Sequence, residues 1–198
     1  MDGMTDSTRF PKLSDQDLDP AQTVLTGKIK AFSKTPFDGP FNILYRTPEA
    51  AHLVMAVSDY VRSHSAVPVP LAELAIMVHA KLWPDAHEWN SHEPRALAAG
   101  IAPEVLADLQ SGSVPKGMSD AQSATYAFAS EFVTSRSVSD ASFAALKSCI
   151  GDQGVVDLTL LLAQYHLVSM LISLDHPQSD NRGPADAPLS GAPGAGHP

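Results

Sequence analysis

Glu73, Glu88 and His92 are the residues of this chain whose types and spacing best suit acid/base chemistry. Glu88 and His92 are four residues apart, so on a helix they share one face, and Glu73 precedes them across the break Trp83-Pro84-Asp85. If the two helices fold back on each other, the three groups converge. Two carboxylates beside an imidazole in a partly apolar cleft keep one proton available and orient the ring. The sequence therefore predicts a proton-transfer site.

Each of these groups also has a purely structural interpretation. Glu73 stands in the first turn of an apolar helix, where the helix dipole stabilises a carboxylate in any case. Glu88 and His92 could form an exposed pair within one helix, worth about 0.3 kcal/mol. The adjacent Trp89 and the apolar run Ala96-Leu97-Ala98-Ala99 favour a half-buried helix instead. We therefore prefer the functional interpretation for the three groups together.

Metal and thiol chemistry have little support in the sequence. Cys149 is the only cysteine, which excludes a disulfide framework, a Cys-x-x-Cys redox pair and a thiolate zinc site. His87 and His92 are five residues apart, one more than the zinc-protease motif requires, and lie on different faces of a helix. We expect neither a metal nor a cofactor.

Charge and composition indicate a small-molecule substrate. The 198 residues include 22 acidic and 13 basic side chains, for a formal charge of -9, and no segment carries a basic cluster. This balance argues against nucleic acid and against an anionic membrane as partners. The N-terminal residues lack the apolar core of a secretion signal, and no run is expected to be long enough to span a bilayer. A cytoplasmic protein is expected.

The hydrophobic periodicity predicts an all-α fold without strands. We expect a flexible lead-in over residues 1–18, a helical domain over 19–174 and a disordered Pro/Gly-rich tail over 175–198. Pro94 is expected to kink the fourth helix, and Gly151 and Gly154 to form a corner. The last helix is so apolar that we expect its surface to be buried by the rest of the domain or by another subunit. The predicted helices are 24–32, 48–63, 71–82, 85–99, 104–110, 119–135, 141–150 and 155–174.

The string Glu73-Leu-Ala-Ile, then Trp83, Glu88-Trp89-x-x-His92 and Ala99-Gly100 resembles the carboxymuconolactone decarboxylase family. That family shares its fold with the alkylhydroperoxidase-D-like proteins, and the resemblance extends over residues 25–174. It implies an alkylhydroperoxidase-D-like helical domain that assembles through helix packing into a homo-oligomer, a trimer or a hexamer.

The redox branch of that family uses a Cys-x-x-Cys pair between its Glu and its His. Asp85 and Glu88 stand at the two cysteine places here, so the chain resembles the cysteine-free branch and is not expected to be a thiol peroxidase. His87 stands where relatives often have an aromatic residue, and Pro84-Asp85 replaces a more usual small pair. Because of these departures, the substrate can differ from that of the family.

The resemblance implies a cofactor-independent carboxy-lyase that acts on a small carboxylated unsaturated lactone from aromatic-compound catabolism. In this assignment Glu88 donates a proton, His92 stabilises the oxyanion and Glu73 orients His92. The alternatives are an isomerase or another lyase on a related small carboxylate, and a non-catalytic ligand-binding or scaffold protein of the same fold. The expected substrate contacts are Arg46, His87 and Trp89.

Overall fold

The computed structural model describes residues 9–83 and 86–175, with only the backbone of Phe32 and Ala86, and every regular element in these ranges is an α-helix. The prediction of an all-α fold is confirmed. The helices are α1 (Pro20–Phe32), α2 (Pro40–Leu44), α3 (Pro48–Ser63), α4 (Val69–Leu82), α5 (Ala86–Ala98), α6 (Pro103–Ser111), α7 (Asp120–Ser135) and α8 (Asp140–Asp175).

The described residues form two compact units. Unit 1 comprises residues 9–64 and 164–175, and unit 2 comprises residues 65–163, so α8 contributes to both. The predicted domain limits at residues 19 and 174 stay a prediction. Each unit has its own packing and is described separately.

In unit 1, α1 begins four residues earlier than predicted, because Asp19 and Gln22 form a reciprocal capping box at its N-terminus. The Asp19 carboxylate accepts from the Gln22 backbone N–H at 2.8 Å, and the Gln22 amide oxygen accepts from the Asp19 backbone N–H at 2.9 Å. The five-residue helix α2 was not predicted. Leu25, Ile29, Leu44, Tyr45 and Ala51 form the buried core of this unit.

The first described residues of unit 1 are held by hydrogen bonds. The backbone N–H of Arg9 donates to the Asp175 carbonyl at 2.8 Å, and that of Phe10 donates to the Asp175 carboxylate at 2.9 Å. The Asn42 side chain donates to the same carboxylate at 3.3 Å. The first eight residues of the predicted lead-in, and all of the predicted tail beyond Asp175, lie outside the described residues.

In unit 2, α4 is the central helix and packs against α5, α6 and α7. Its residues from Leu74 to Lys81 are all buried, as the apolar sequence predicted. Helix α5 continues through Pro94, where the sequence indicated a kink or an interruption. Pro94 and Asn90, the residue four places before it, are both exposed, so the Asn90 carbonyl can bond to water in place of the missing amide.

Helix α8 bends where the two glycines predicted a corner. Gly151 has φ 71° and ψ 179°, a non-helical conformation that interrupts the 36-residue helix. At Gly154 an added Cβ would lie 2.7 Å from the Ile150 Cβ, so the helix turn after the bend needs glycine there.

By length and composition alone, α8 could cross a membrane, although no such run was expected from the sequence. Half of its most apolar window is buried within the protein, and a core helix of a soluble protein passes the same test. The presence of this helix is therefore only weak evidence for a membrane span. The cytoplasmic location stays a prediction.

Candidate acid/base site

Helices α4 and α5 bring Glu73, Glu88 and His92 together within unit 2. Glu73 lies in the second turn of α4, and the other two residues lie one turn apart on α5, which packs directly against α4. The extended residue Trp83 ends α4 and lets the chain reverse into α5. The convergence expected from the sequence is present.

Each ring nitrogen of His92 faces a different carboxylate. Nδ1 lies 2.7 Å from Glu73 Oε2, and Nε2 lies 3.5 Å from Glu88 Oε2. We assign Nδ1 as the donor of the shorter contact, because an ionised carboxylate only accepts. The contact between Nε2 and Glu88 Oε2, at 3.5 Å, is electrostatic in character, because it is longer than an ordinary hydrogen bond. Glu73 therefore fixes the ring, and Glu88 faces its second nitrogen.

All three groups are largely withdrawn from water. Their side chains are 5% exposed for His92, 7% for Glu88 and 15% for Glu73. In a medium of low dielectric constant, a proton on the imidazole between the two carboxylates reduces the cost of withdrawing their charges from water. The arrangement is chemically suited to giving up and taking back this proton.

Trp89 lies on the same side of α5 as this cluster. Glu88, Trp89 and His92 fall within an arc of about 100° around the helix axis. The Trp89 side chain is buried, and its indole Nε1–H has no hydrogen-bond partner among the described residues. An unpaired buried N–H is unfavourable and is uncommon in native proteins.

The other two expected substrate contacts are placed differently. His87 is exposed at the start of α5. Arg46 belongs to unit 1, where its guanidinium donates to the carbonyls of Asn42 and Pro11 and stacks 5.4 Å from the Phe10 ring centroid. These contacts give Arg46 a local structural role. Its expected role in substrate binding stays a prediction.

Sequence analysis did not single out Lys81, which is buried at the end of α4. Its ammonium donates to the Gln110 carbonyl in the last turn of α6 at 3.1 Å, where the helix dipole favours a cation. A lysine within a mostly apolar helix was the available signal. The contact joins two helices of unit 2, so we assign Lys81 a structural role.

Among residues 9–83 and 86–175, no group of three His, Cys, Asp or Glu side chains has an arrangement that could hold a metal ion. The single cysteine, Cys149, is exposed on α8 and is not part of the cluster. No protein-family model matches this chain, and no curated protein matches it in sequence.

Proposed function

We propose that this protein is a cofactor-independent lyase of the carboxymuconolactone decarboxylase type, acting on a small unsaturated lactone that bears a carboxylate. The observation that carries this proposal is the buried imidazole of His92 between two carboxylates, one at 2.7 Å and one at 3.5 Å. The similarity of the residues from Glu73 to His92 to that family supports the same assignment.

The proposed reaction needs an electron sink and a proton. The bond between the ring carbon and the carboxylate breaks, carbon dioxide leaves, and the electron pair moves through the conjugated ring to the lactone oxygen. His92 acts as an imidazolium, so Nδ1–H stays bonded to Glu73 while Nε2–H donates a hydrogen bond to that oxygen as its charge develops, in a site where little water competes. The conjugated lactone itself accepts the electrons.

Glu88 supplies the proton that completes the reaction. Its carboxyl group transfers a proton to the ring carbon of the dienolate, and the resulting carboxylate regains a proton from solvent. Glu73 keeps Nδ1 protonated and holds the ring in one orientation, as a carboxylate does for a catalytic histidine. Trp89 Nε1–H is the proposed donor to a substrate oxygen, because it is buried without a partner.

The test is carbon dioxide release from a carboxymuconolactone-type substrate, measured with the wild type, His92→Ala and His92→Asn. His64→Ala serves as a matched control, because His64 is exposed in unit 1. We expect release by the wild type and the control, and its loss in both His92 variants, with unchanged helix content by circular dichroism. No release by the folded wild type would overturn the assignment as a decarboxylase.

Two further variants separate the roles of the carboxylates. Glu88→Gln removes the transferable proton and should lower kcat by about 10²- to 10⁴-fold. Glu73→Gln replaces the carboxylate at Nδ1 by a neutral amide that no longer stabilises the imidazolium, so it should lower kcat by a factor of up to about 10⁴. Glu104→Gln, an exposed carboxylate on α6, is the control. Equal activity in all three variants would overturn these roles.

A further inference from the structure

Residues 9–13, here called the arm, are bound to unit 1 largely by side-chain contacts and belong to no helix. Two of them, Phe10 and Leu13, are half-buried, and Leu13 packs against the apolar core of the unit. Pro11 lies between them; it fixes its own φ and disfavours a helical conformation at the residue before it. The arm therefore lies on unit 1 as an irregular peptide with two apolar anchors.

Two buried polar side chains of unit 1 bind backbone groups of the arm. Asp175 and Asn42 are 3% and 4% exposed. The Asp175 carboxylate accepts from the Phe10 N–H at 2.9 Å, and the Asn42 amide nitrogen donates to the Phe10 carbonyl at 3.4 Å. The Asn42 amide oxygen accepts from the Leu13 N–H at 3.4 Å. Without the arm these buried groups would lose hydrogen bonds, which is unfavourable, so this position is suited to hold a peptide backbone.

The Arg46 guanidinium contacts both the backbone and an aromatic side chain of the arm. It donates to the Pro11 carbonyl and lies 5.4 Å from the centroid of the Phe10 ring. It also donates to the Asn42 amide oxygen at 3.1 Å. Because proline has no backbone N–H, the arm needs no further acceptor at position 11. The site therefore suits a segment in which an aromatic residue precedes proline.

The last two residues of the arm add a positive charge and an apolar anchor. Lys12 Nζ lies 2.5 Å from Asp38 Oδ1, in a pair that is exposed on both sides. Such a pair contributes little affinity, but it favours a basic residue at this position, as does the formal charge of -9 on the chain. The Leu13 side chain fills the apolar position. The sequence that fits is an aromatic residue, proline, a basic residue and leucine.

We propose that Asn42, Arg46 and Asp175 form a peptide-recognition site for a segment of a partner protein with the order aromatic residue, proline, basic residue, leucine. The contacts of the site are made to residues 10–13, so a separate peptide with the same side chains can make the same contacts.

The arm occupies this site as a tethered competitor. A segment on a short linker has an effective concentration on the order of millimolar, so it holds the site until a partner displaces it. Binding of the partner therefore requires release of the arm. All of these residues belong to unit 1, so the proposal is independent of the acid/base cluster in unit 2.

The test is binding of a fluorescein-labelled peptide that copies residues 9–14 to the full-length chain, measured by fluorescence anisotropy. Phe10→Ala/Leu13→Ala weakens the arm and leaves the three site residues in place. This variant should bind the peptide about tenfold or more tightly than the wild type does, because its own arm competes less. Lys12→Glu, which reverses an exposed charge and leaves the core untouched, should shift the affinity in the same direction.

A peptide of the same composition in scrambled order is the control, because it brings the same positive charge to an acidic protein. Equal binding of the scrambled peptide would overturn the proposal. So would a folded double variant that binds the copied peptide no more tightly than the wild type does.

A second test locates the peptide on the site, in the background of the arm variant. Arg46→Lys keeps the charge and loses the planar fork of donors, so it should weaken peptide binding about tenfold. Arg62→Lys, exposed on α3 of the same unit, is the matched control and should bind as its parent does. Alanine in place of the aromatic residue or the leucine of the peptide should abolish binding with no change in the protein. Unchanged affinity in the folded Arg46 variant would place the peptide elsewhere and overturn the assignment.

Discussion

His92 differs from an ordinary buried histidine because both of its nitrogens face carboxylates. A core histidine usually has one nitrogen bonded to a backbone carbonyl or to water, and its charge state then has little consequence. Here the Nδ1 contact with Glu73 is short and the Nε2 contact with Glu88 is long. This asymmetry is the basis for proposing that Glu73 orients the ring and that Glu88 exchanges a proton.

Replacing Trp89 by Phe should affect ligands more than folding. The change keeps an aromatic ring and removes an N–H that has no hydrogen-bond partner within residues 9–83 and 86–175. The free energy of unfolding should fall by about 1–2 kcal/mol, from the smaller ring alone. If Nε1–H donates to the substrate, KM should rise about tenfold, since one hydrogen bond is lost. An unchanged KM in the folded variant would contradict that role.

The bends and caps of the helices account for much of how this chain folds. Gly151 adopts φ 71° and ψ 179°, and no heavy atom lies within 4 Å of the position that a Cβ would occupy there. Backbone conformation, and not crowding, therefore demands glycine at the α8 bend. The turn between α7 and α8 is held differently, by the carboxylate of Glu131.

Gly151→Ala should lower the free energy of unfolding by about 1–3 kcal/mol, because a side chain strains this backbone conformation. Gly27→Ala is the matched control, since Gly27 lies inside α1 and an added Cβ also meets nothing within 4 Å. That control should raise the free energy of unfolding by about 0.5–1 kcal/mol. Urea denaturation measures both values. An unchanged free energy of unfolding in Gly151→Ala would show that the bend does not depend on glycine.

Glu131→Gln should destabilise the protein at neutral pH and not in acid. The pKa of Glu131 is lowered from its ordinary 4.5, mainly by the Ser139 backbone N–H that donates to it and also by the Ser142 hydroxyl. The lowered pKa gives stability that is present above about pH 4.5 and is lost as the pH falls through the lower folded value.

At pH 7 the expected loss in the Glu131 variant is about 1 kcal/mol, because the carboxylate is partly exposed. Unfolding of the variant and wild type in urea at pH 7 and at pH 3 provides the measurement. Glu104→Gln, exposed on α6, should show no comparable change with pH. A constant difference between wild type and variant at both pH values would contradict the assignment.

The sequence predicted those features that depend on local chemistry. The start of α7 beside Ser119 and the bend of α8 at Gly151 lie where the sequence predicted them. Helix α2 was missed because five residues are too few to show periodicity. The two contacts of His92 depend on how α4 packs against α5, and no spacing along the chain specifies which nitrogen meets which carboxylate.

The chain contains two tryptophans, Trp83 and Trp89, at the end of α4 and in the first turns of α5. All of its indole fluorescence therefore originates from the helix pair, α4 and α5, that carries Glu73, Glu88 and His92. A titration of the unlabelled protein with candidate lactones, or with acid, reports on this one region by emission wavelength and intensity. The molecule thus carries an intrinsic optical probe at the position where its chemistry is proposed to occur.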